Sequence, residues 1–572
     1  MYAPMAAPSM LQPVYLTTSG SVVKVQPGQV TAPTAGGDAR ALDDSGKNQD
    51  EDGAEDAVEP PTGAGSWKTP APQEAVVESE RSEDDEDEEE QPSMLERFCE
   101  FLYPGKASDA KASAGKAPRL DSLDAPRWIA SIQIVAYHAK LWGSRFNASY
   151  VDWGCVWTQF FFILSGFVLA YVEMARPPRK GGKLSLLQYV RRRLIVIYPS
   201  YVLTILLILS GIYGRHFTSF EWSVLPLHFL LMQAWFPICI HNEGGMQCLP
   251  WTWNGEAWFM SVLVFYWLLL RPLANQFRDK SLCYCSTVVA VCFAFSGLVV
   301  CLGFLPFLLG CEDKSECSSS TAVIIRASPL GYFHVFLAGV ASARIFVLTG
   351  MQDGETGGPL RPETTRLALH AEGAPAFLRY GCCLGYAVYA LLLVFVPLGP
   401  IYYFVHNGGL IPIFVLLLLG AALGVDPITK WVFRCLPLLI LGRISYLQYL
   451  LQHPVWCFLK TNLPQSVPYD VVFPFVLVAA AYVCQRWYER PFTEWQAQRL
   501  KSEDSCDNRC IARMDSLFDK RCRNIFVASL ILLQIGITFA LLGAQAAEEP
   551  EFRYQMAFGA SSNYQLTNVT ST

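Results

Sequence analysis

Charge is the scarcest commodity in this chain of 572 residues: Asp, Glu, Lys and Arg together make up 16% of it, against about 25% in typical soluble proteins. Much of the acid lies before residue 100, including the unbroken run Glu83 to Glu90, so the net charge of -6 says little about the remainder. The sequence has no basic domain and no nucleic-acid motif, which excludes nucleic acid as a partner. No cysteine spacing resembles a zinc site, Cys506 and Cys510 standing alone, so no metal is expected. The N-terminus lacks a basic stretch followed by an apolar core, and we expect no cleavable signal peptide. There is no internal repeat between residues 121–300 and 301–493, whereas transporters often show two related halves.

What is plentiful is apolar sequence. Hydrophobic residues reach 52% and aromatics 13%. A bilayer span takes about 20 mostly apolar residues. Candidate cores occur at Trp157–Val172, Tyr198–Tyr213, Trp258–Leu270, Ser286–Leu309, Tyr332–Leu348, Phe377–Leu398, Leu410–Gly424, Leu436–Leu459, Val471–Val483 and Ile525–Leu542. Pro126–Phe146 is counted as the first span, and Val224–Trp235, short and interrupted by Pro226 and His228, as re-entrant or interfacial. The expected fold is therefore an all-α integral membrane protein, a bundle of about ten core spans plus one near the C-terminus.

Residues 1–93 are rich in Pro, Gly, Ala, Ser and acid without apolar periodicity. They cannot bury enough surface to offset the entropy of ordering, and are expected to be a disordered tail. A linker with a possible interfacial helix at Met94–Tyr103 occupies 94–120. The transmembrane domain then runs over 121–493, followed by a charged linker (494–523), the additional helix (524–546) and a polar tail (547–572).

Basic residues near span ends mark the cytoplasmic side. Arg179, Lys180, Lys183, Arg191, Arg192 and Arg193 form one such loop, Arg271, Arg278 and Lys280 another, and Lys430 with Arg434 a third. Placing these inside puts the N-terminus in the cytoplasm and the C-terminus in the lumen or outside the cell. The sequons at Asn147 and Asn568 then fall outside. So do the cysteine pairs Cys239/Cys248 and Cys311/Cys317, where disulfides persist. Cysteines inside spans, such as Cys382 and Cys383, read as small apolar residues.

Ionisable groups inside a span are costly and usually face a cavity or the bundle interior. The first span carries Arg127, Ser131, Gln133, Tyr137, His138 and Lys140, too many for a lipid-facing anchor. Arg127 and His138 are eleven residues apart, which places them within about 20° of one helix face and roughly 16 Å apart along the axis. That separation excludes a direct bond. It suits an extended substrate, anionic at the cytoplasmic end and reacting deeper, with neutral His138 taking a proton from a hydroxyl. It equally suits an arginine at the headgroups and a histidine bonded to a neighbouring helix. On the late span, Ser445, Tyr449 and His453 recur every four residues and share a face, with Tyr446 nearby; helix–helix hydrogen bonding is the alternative reading. Ser165, in Leu-Ser-Gly-Phe, points to close helix packing rather than to a nucleophile.

Six stretches in order carry a resemblance. They are Leu123-Asp-Ala-Pro-Arg127 with His138; Phe161-Phe-Ile-Leu-Ser-Gly-Phe167; Arg191-Arg-Arg-Leu-Ile-Val-Ile-Tyr-Pro199; Asn254-Gly-Glu-Ala-Trp258 with Phe265-Tyr266; Gly442-Arg-Ile-Ser-Tyr446 with Tyr449 and His453-Pro454; and Tyr488-Glu-Arg-Pro491. Residues 121–493 thus resemble acyltransferase family 3, the integral membrane O-acyltransferases. The resemblance implies transfer of an acyl group, often acetyl, from a cytoplasmic acyl-CoA acting as co-substrate, with no bound cofactor. The acceptor would be a hydroxyl of a sugar, glycan or lipid across the bilayer. It makes His138 the base and Arg127 a donor-side residue. Arg191, Arg192 and Arg193 would hold donor phosphates, and Trp258, Ser445, Tyr446, Tyr449 and His453 would bind substrate; for each arginine, positive-inside anchoring is the other reading. Two departures stand out. Family members usually have a second arginine where Val196 stands, and a glutamate where Leu263 stands. A catalytically silent relative, or a transporter using the same polar cavity, therefore remains an alternative.

Overall fold

The computed structural model describes residues 120–144, 148–175, 186–210, 217–236, 238–242, 245–308, 325–353, 367–464, 468–506 and 529. The tail 1–93, Met94–Tyr103, the sequons at Asn147 and Asn568, Cys311 and Cys317, and the expected span Ile525–Leu542 lie outside the described residues, Ser529 excepted.

The described chain is mostly helical. The principal helices are α1 (Asp124–Leu141), α2 (Trp157–Met174), α3 (Leu186–Leu209), α4 (Ser219–Phe229), α5 (Trp258–Phe277), α6 (Leu282–Leu308), α7 (Pro329–Gly350), α8 (Gly381–Phe395), α9 (Leu398–His406), α10 (Ile411–Leu423), α11 (Leu436–Asn462), α12 (Tyr469–Cys484) and α13 (Arg490–Cys506). Among the described residues, sheet is confined to two small antiparallel pairs of strands, β1 (Cys239–Asn242) with β2 (Gly245–Cys248) and β3 (Met351–Asp353) with β4 (Leu367–Leu369). A disulfide joins Cys239 to Cys248 across the first hairpin.

Among the described residues, seven helical stretches are long and apolar enough to cross a membrane: Tyr150–Met174, Gln188–Leu209, Gly255–Phe277, Leu282–Cys301, Pro329–Gly350, Ile401–Leu423 and Tyr469–Gln496. The other three core spans expected from sequence are also helical but fall short by that measure. Helix α1 carries Asp124, Arg127 and Lys140, α11 is long but interrupted by polar residues, and α8 has 15 residues. Helix α4, of 11 residues, is too short to cross. It begins at a capping box, in which Thr218 Oγ1 accepts from the Glu221 amide while the Glu221 carboxylate accepts from the Thr218 amide.

Small residues bring the helices together. A Cβ added at Gly166 of α2 would run into the backbone carbonyl of Phe336, and one at Gly339 of α7 into that of Ile163. The two backbones touch there, the arrangement small residues permit in membrane bundles, and the packing expected around Ser165 is present. Gly442 does the same for α11, bringing it against the Asp124 carbonyl at the start of α1. The helices that carry the first and last motifs are therefore neighbours. Aromatic side chains fill the interior, with Trp157, Phe160, Phe162, Tyr266, Tyr332 and Phe336 all fully buried.

Candidate active site

Most of the polar groups on α1 are used to hold it in the bundle. Ser131 Oγ donates to the Ser445 carbonyl at 3.1 Å, Gln133 Oε1 accepts from Trp157 Nε1 at 2.8 Å, and Lys140 Nζ pairs with Asp152 at 2.7 Å. His138, in the last turn, is placed differently. It lines a narrow cleft of about 30 Å³, together with Tyr137, Trp251, Trp258, Arg326, His406 and Tyr449 among others.

Among the described residues, both polar side-chain contacts of His138 are made by Nδ1. Gln452 Oε1 lies 3.1 Å away and Glu256 Oε1 3.9 Å away. The Gln452 amide nitrogen donates to the Tyr449 carbonyl at 2.9 Å, which fixes the orientation of that amide and turns its oxygen toward the imidazole. A carbonyl oxygen only accepts. Nδ1 must therefore carry the proton, and the lone pair resides on Nε2. The Glu256 side chain approaches the ring from the Nδ1 side and is itself 4% exposed.

The Glu256 turn is firmly held. Gly255–Ala257 is a short 3-10 turn leading into α5, and Tyr449 Oη donates to the Glu256 carbonyl. Asn254 Nδ2 donates to the Leu450 carbonyl and to Thr204 Oγ1, at 3.1 and 3.2 Å. Just before it, Trp253 adopts a positive φ of 56° while fully buried. This is an uncommon conformation for a bulky residue, held when the surroundings over-determine it. Here its ring stacks on Phe217 with centroids 4.3 Å apart and its Nε1 donates to the Glu221 carbonyl.

The remaining sequence candidates divide. Trp258 and Tyr449 join His138 in the cleft wall. Arg127 does not: it lies in the first turn of α1, partly exposed, paired with Asp124 at 3.1 Å. Ser445 Oγ donates to Gly442 of its own helix and Tyr446 Oη to the Ile197 carbonyl, so both serve helix packing. His453 packs its ring 5.3 Å from that of Trp142 and lies outside the cleft wall. Arg191 is exposed, Arg192 and Arg193 partly so, and the Arg193 guanidinium covers the Tyr189 ring. Val196 is half exposed and Leu263 is buried among apolar side chains.

Glu256 and Gln452 beside His138, and Arg326 and His406 in the cleft wall, are not singled out by the sequence patterns. Gln452 directly precedes His453 of the late motif, a usable signal. Extending the register of α5 backwards would carry Glu256 to the opposite edge of that helix, but the 3-10 turn and the extended Asn254 break that register. Arg326 and His406 belong to no motif.

A helical membrane bundle with a motif histidine held by an amide, backed by a carboxylate and opening on an internal cleft has the makings of a membrane-embedded transferase. The family model of the acyltransferase domain matches residues 120–485, and the chain belongs to acyltransferase family 3. It is also similar to the O-acetyltransferase OatA of Staphylococcus aureus strains NCTC 8325 / PS 47, COL and MRSA252, with 22% identity in each case over 388 residues, 66% of this chain. The matched region spans 57% of the length of those relatives. No solved structure matches the chain.

Proposed function

We propose that this protein transfers an acyl group, acetyl in the first instance, from cytoplasmic acyl-CoA to a hydroxyl of a sugar, glycan or lipid acceptor, with His138 as the base. The observation that carries the reading is the engagement of Nδ1 by Gln452, which leaves the Nε2 lone pair as the proton acceptor. The acceptor oxygen attacks the thioester carbonyl carbon as Nε2 takes the hydroxyl proton, and the carbonyl electrons move onto oxygen. Collapse of that intermediate reforms the carbonyl and breaks the carbon–sulfur bond, and the imidazolium returns its proton to the departing CoA sulfur. Family membership and the similarity to an O-acetyltransferase support this chemistry.

Arg127 and the basic start of α3 belong, on this reading, to the cytoplasmic donor side, about 16 Å from His138 along α1. On the same reading the basic loops are cytoplasmic, with the N-terminus inside and the C-terminus across the membrane.

The silent-relative reading draws on Val196 and Leu263. Against it stands Glu256, a carboxylate 3.9 Å from His138 that reaches the imidazole from the turn before α5. The test is acetyl-CoA turnover by purified protein, following free CoA with and without a glycan pool, beside His138→Ala. Turnover that falls by about 10²–10⁴-fold in the variant supports a base role. A wild type that neither turns over nor binds any acyl-CoA would shift the assignment to the silent relative.

A further inference from the structure

We propose that Arg326 is the anion-binding group of the cleft, holding a negatively charged substrate oxygen beside His138; this rests on the acyl-transfer reading of the same site. Arg326 and His138 line one cleft, and none of the described residues lining it is acidic. The guanidinium carries a permanent positive charge. Inside a helical membrane bundle such a charge is expensive and marks function by default.

Its setting is built. The guanidinium carbon lies 5.9 Å from the Trp251 ring centre and 5.3 Å from that of Tyr402. The two rings flank the guanidinium, an arrangement that favours its cationic form. The backbone is equally constrained. The Ile325 carbonyl accepts from Asn407 Nδ2 at 3.0 Å, and Gly331 leaves no room for a Cβ against that same carbonyl. Ser328 caps α7 two residues on from Arg326.

Acyl transfer also needs such a group. When the acceptor oxygen adds to the carbonyl, negative charge builds on the carbonyl oxygen, and fixed donors aimed at it account for much of catalysis. Val196, standing where relatives usually have an arginine, cannot supply it. The oxygen that Arg326 holds has two sources to distinguish: the transient oxyanion of the transferring acyl group, or a carboxylate carried permanently by an acidic acceptor.

The experiment uses full-length protein in nanodiscs as wild type, Arg326→Gln and Arg326→Lys. It measures kcat and KM for acetyl-CoA turnover with water, with neutral xylotriose and with the trimer of galacturonic acid. For the oxyanion source, Arg326→Gln lowers kcat by about tenfold or more with all three, water included. For the acceptor source, it raises KM for the acidic trimer alone. Arg326→Lys, which keeps the charge without the planar fork, falls between and supplies the comparison if the glutamine variant does not fold. Wild-type kcat and KM in Arg326→Gln with every acceptor, beside inactive His138→Ala, overturn the proposal and leave acyl transfer standing. With no turnover by the wild type, acyl transfer falls and quenching of tryptophan fluorescence by the acidic trimer decides: binding lost in Arg326→Gln upholds the anion site, whereas equal or absent binding overturns it.

Discussion

At the scale of single residues, the site depends on which nitrogen of His138 faces the protein. Gln452 accepts from Nδ1 and is itself locked by the Tyr449 carbonyl, so one side-chain amide sets the tautomer. Gln452→Glu keeps an acceptor in place, while Gln452→Leu removes it and frees the ring to rotate. We expect the leucine variant to lose most of its kcat with little change in KM for acetyl-CoA, and the glutamate variant to keep more activity; steady-state kinetics of the two separate orientation from folding. On the proposed mechanism, Glu256 acts through charge. Two unit charges about 4 Å apart interact by about 4 kcal/mol at an effective dielectric constant near 20, and each ~1.4 kcal/mol lost from the transition state is about tenfold in rate. Part of that energy is offset by relaxation, so Glu256→Gln is expected to lower kcat by about 10- to 100-fold while thermal unfolding stays near wild type. Unchanged kcat would remove Glu256 from the mechanism.

Elements bring these residues together through contacts that tolerate no extra atoms. Helices α2 and α7 meet at Gly166 and Gly339, where each added Cβ would strike the partner backbone, while nothing lies within 4 Å of a Cβ built at Gly297 of α6. Gly339→Leu is expected to cost ~1–3 kcal/mol or more through overpacking, seen as lower folded yield and a lower Tm in detergent. Gly297→Ala should stay within about 0.5 kcal/mol. Equal behaviour of the two would mean that the α2–α7 contact is not tight. The turn at 253–257 is the other decisive element. It is short and held from α3, α4 and α11, and it delivers Glu256 to an imidazole on a helix more than a hundred residues earlier.

For the whole molecule, the testable features are topology and the contribution of the N-terminal tail. Counting basic loops as cytoplasmic puts Asn147 and Asn568 on the far side of the membrane. Expression in a glycosylating cell is expected to give a gel shift that disappears when both asparagines are replaced by glutamine. An unshifted chain, paired with cytoplasmic labelling of a cysteine placed near residue 568, would invert the assignment. Residues 1–93 carry no motif of the family, and a chain lacking them is expected to keep wild-type acetyl-CoA turnover. A large loss would give the acidic segment a part in the reaction.

Apolar runs disclosed a multi-pass helical bundle because crossing a bilayer takes a fixed length of apolar helix, a local property of the chain. Six motifs in order disclosed the family, and the polar face of one span disclosed His138, since an ionisable group is hard to hide in lipid. The Leu-Ser-Gly-Phe stretch was legible as a packing site for the same reason of locality: a missing side chain is visible in the letters. Tertiary structure alone decided which of the polar residues meet. Ser445 and Tyr446 share the motif with Tyr449, yet they bond to backbone while Tyr449 reaches the cleft. Glu256 could not be read by register because it lies in a 3-10 turn that precedes the helix. Arg326 and His406 come to the cleft that His138 lines only through the packing of distant segments, and proximity across more than a hundred residues leaves no period or spacing in the sequence.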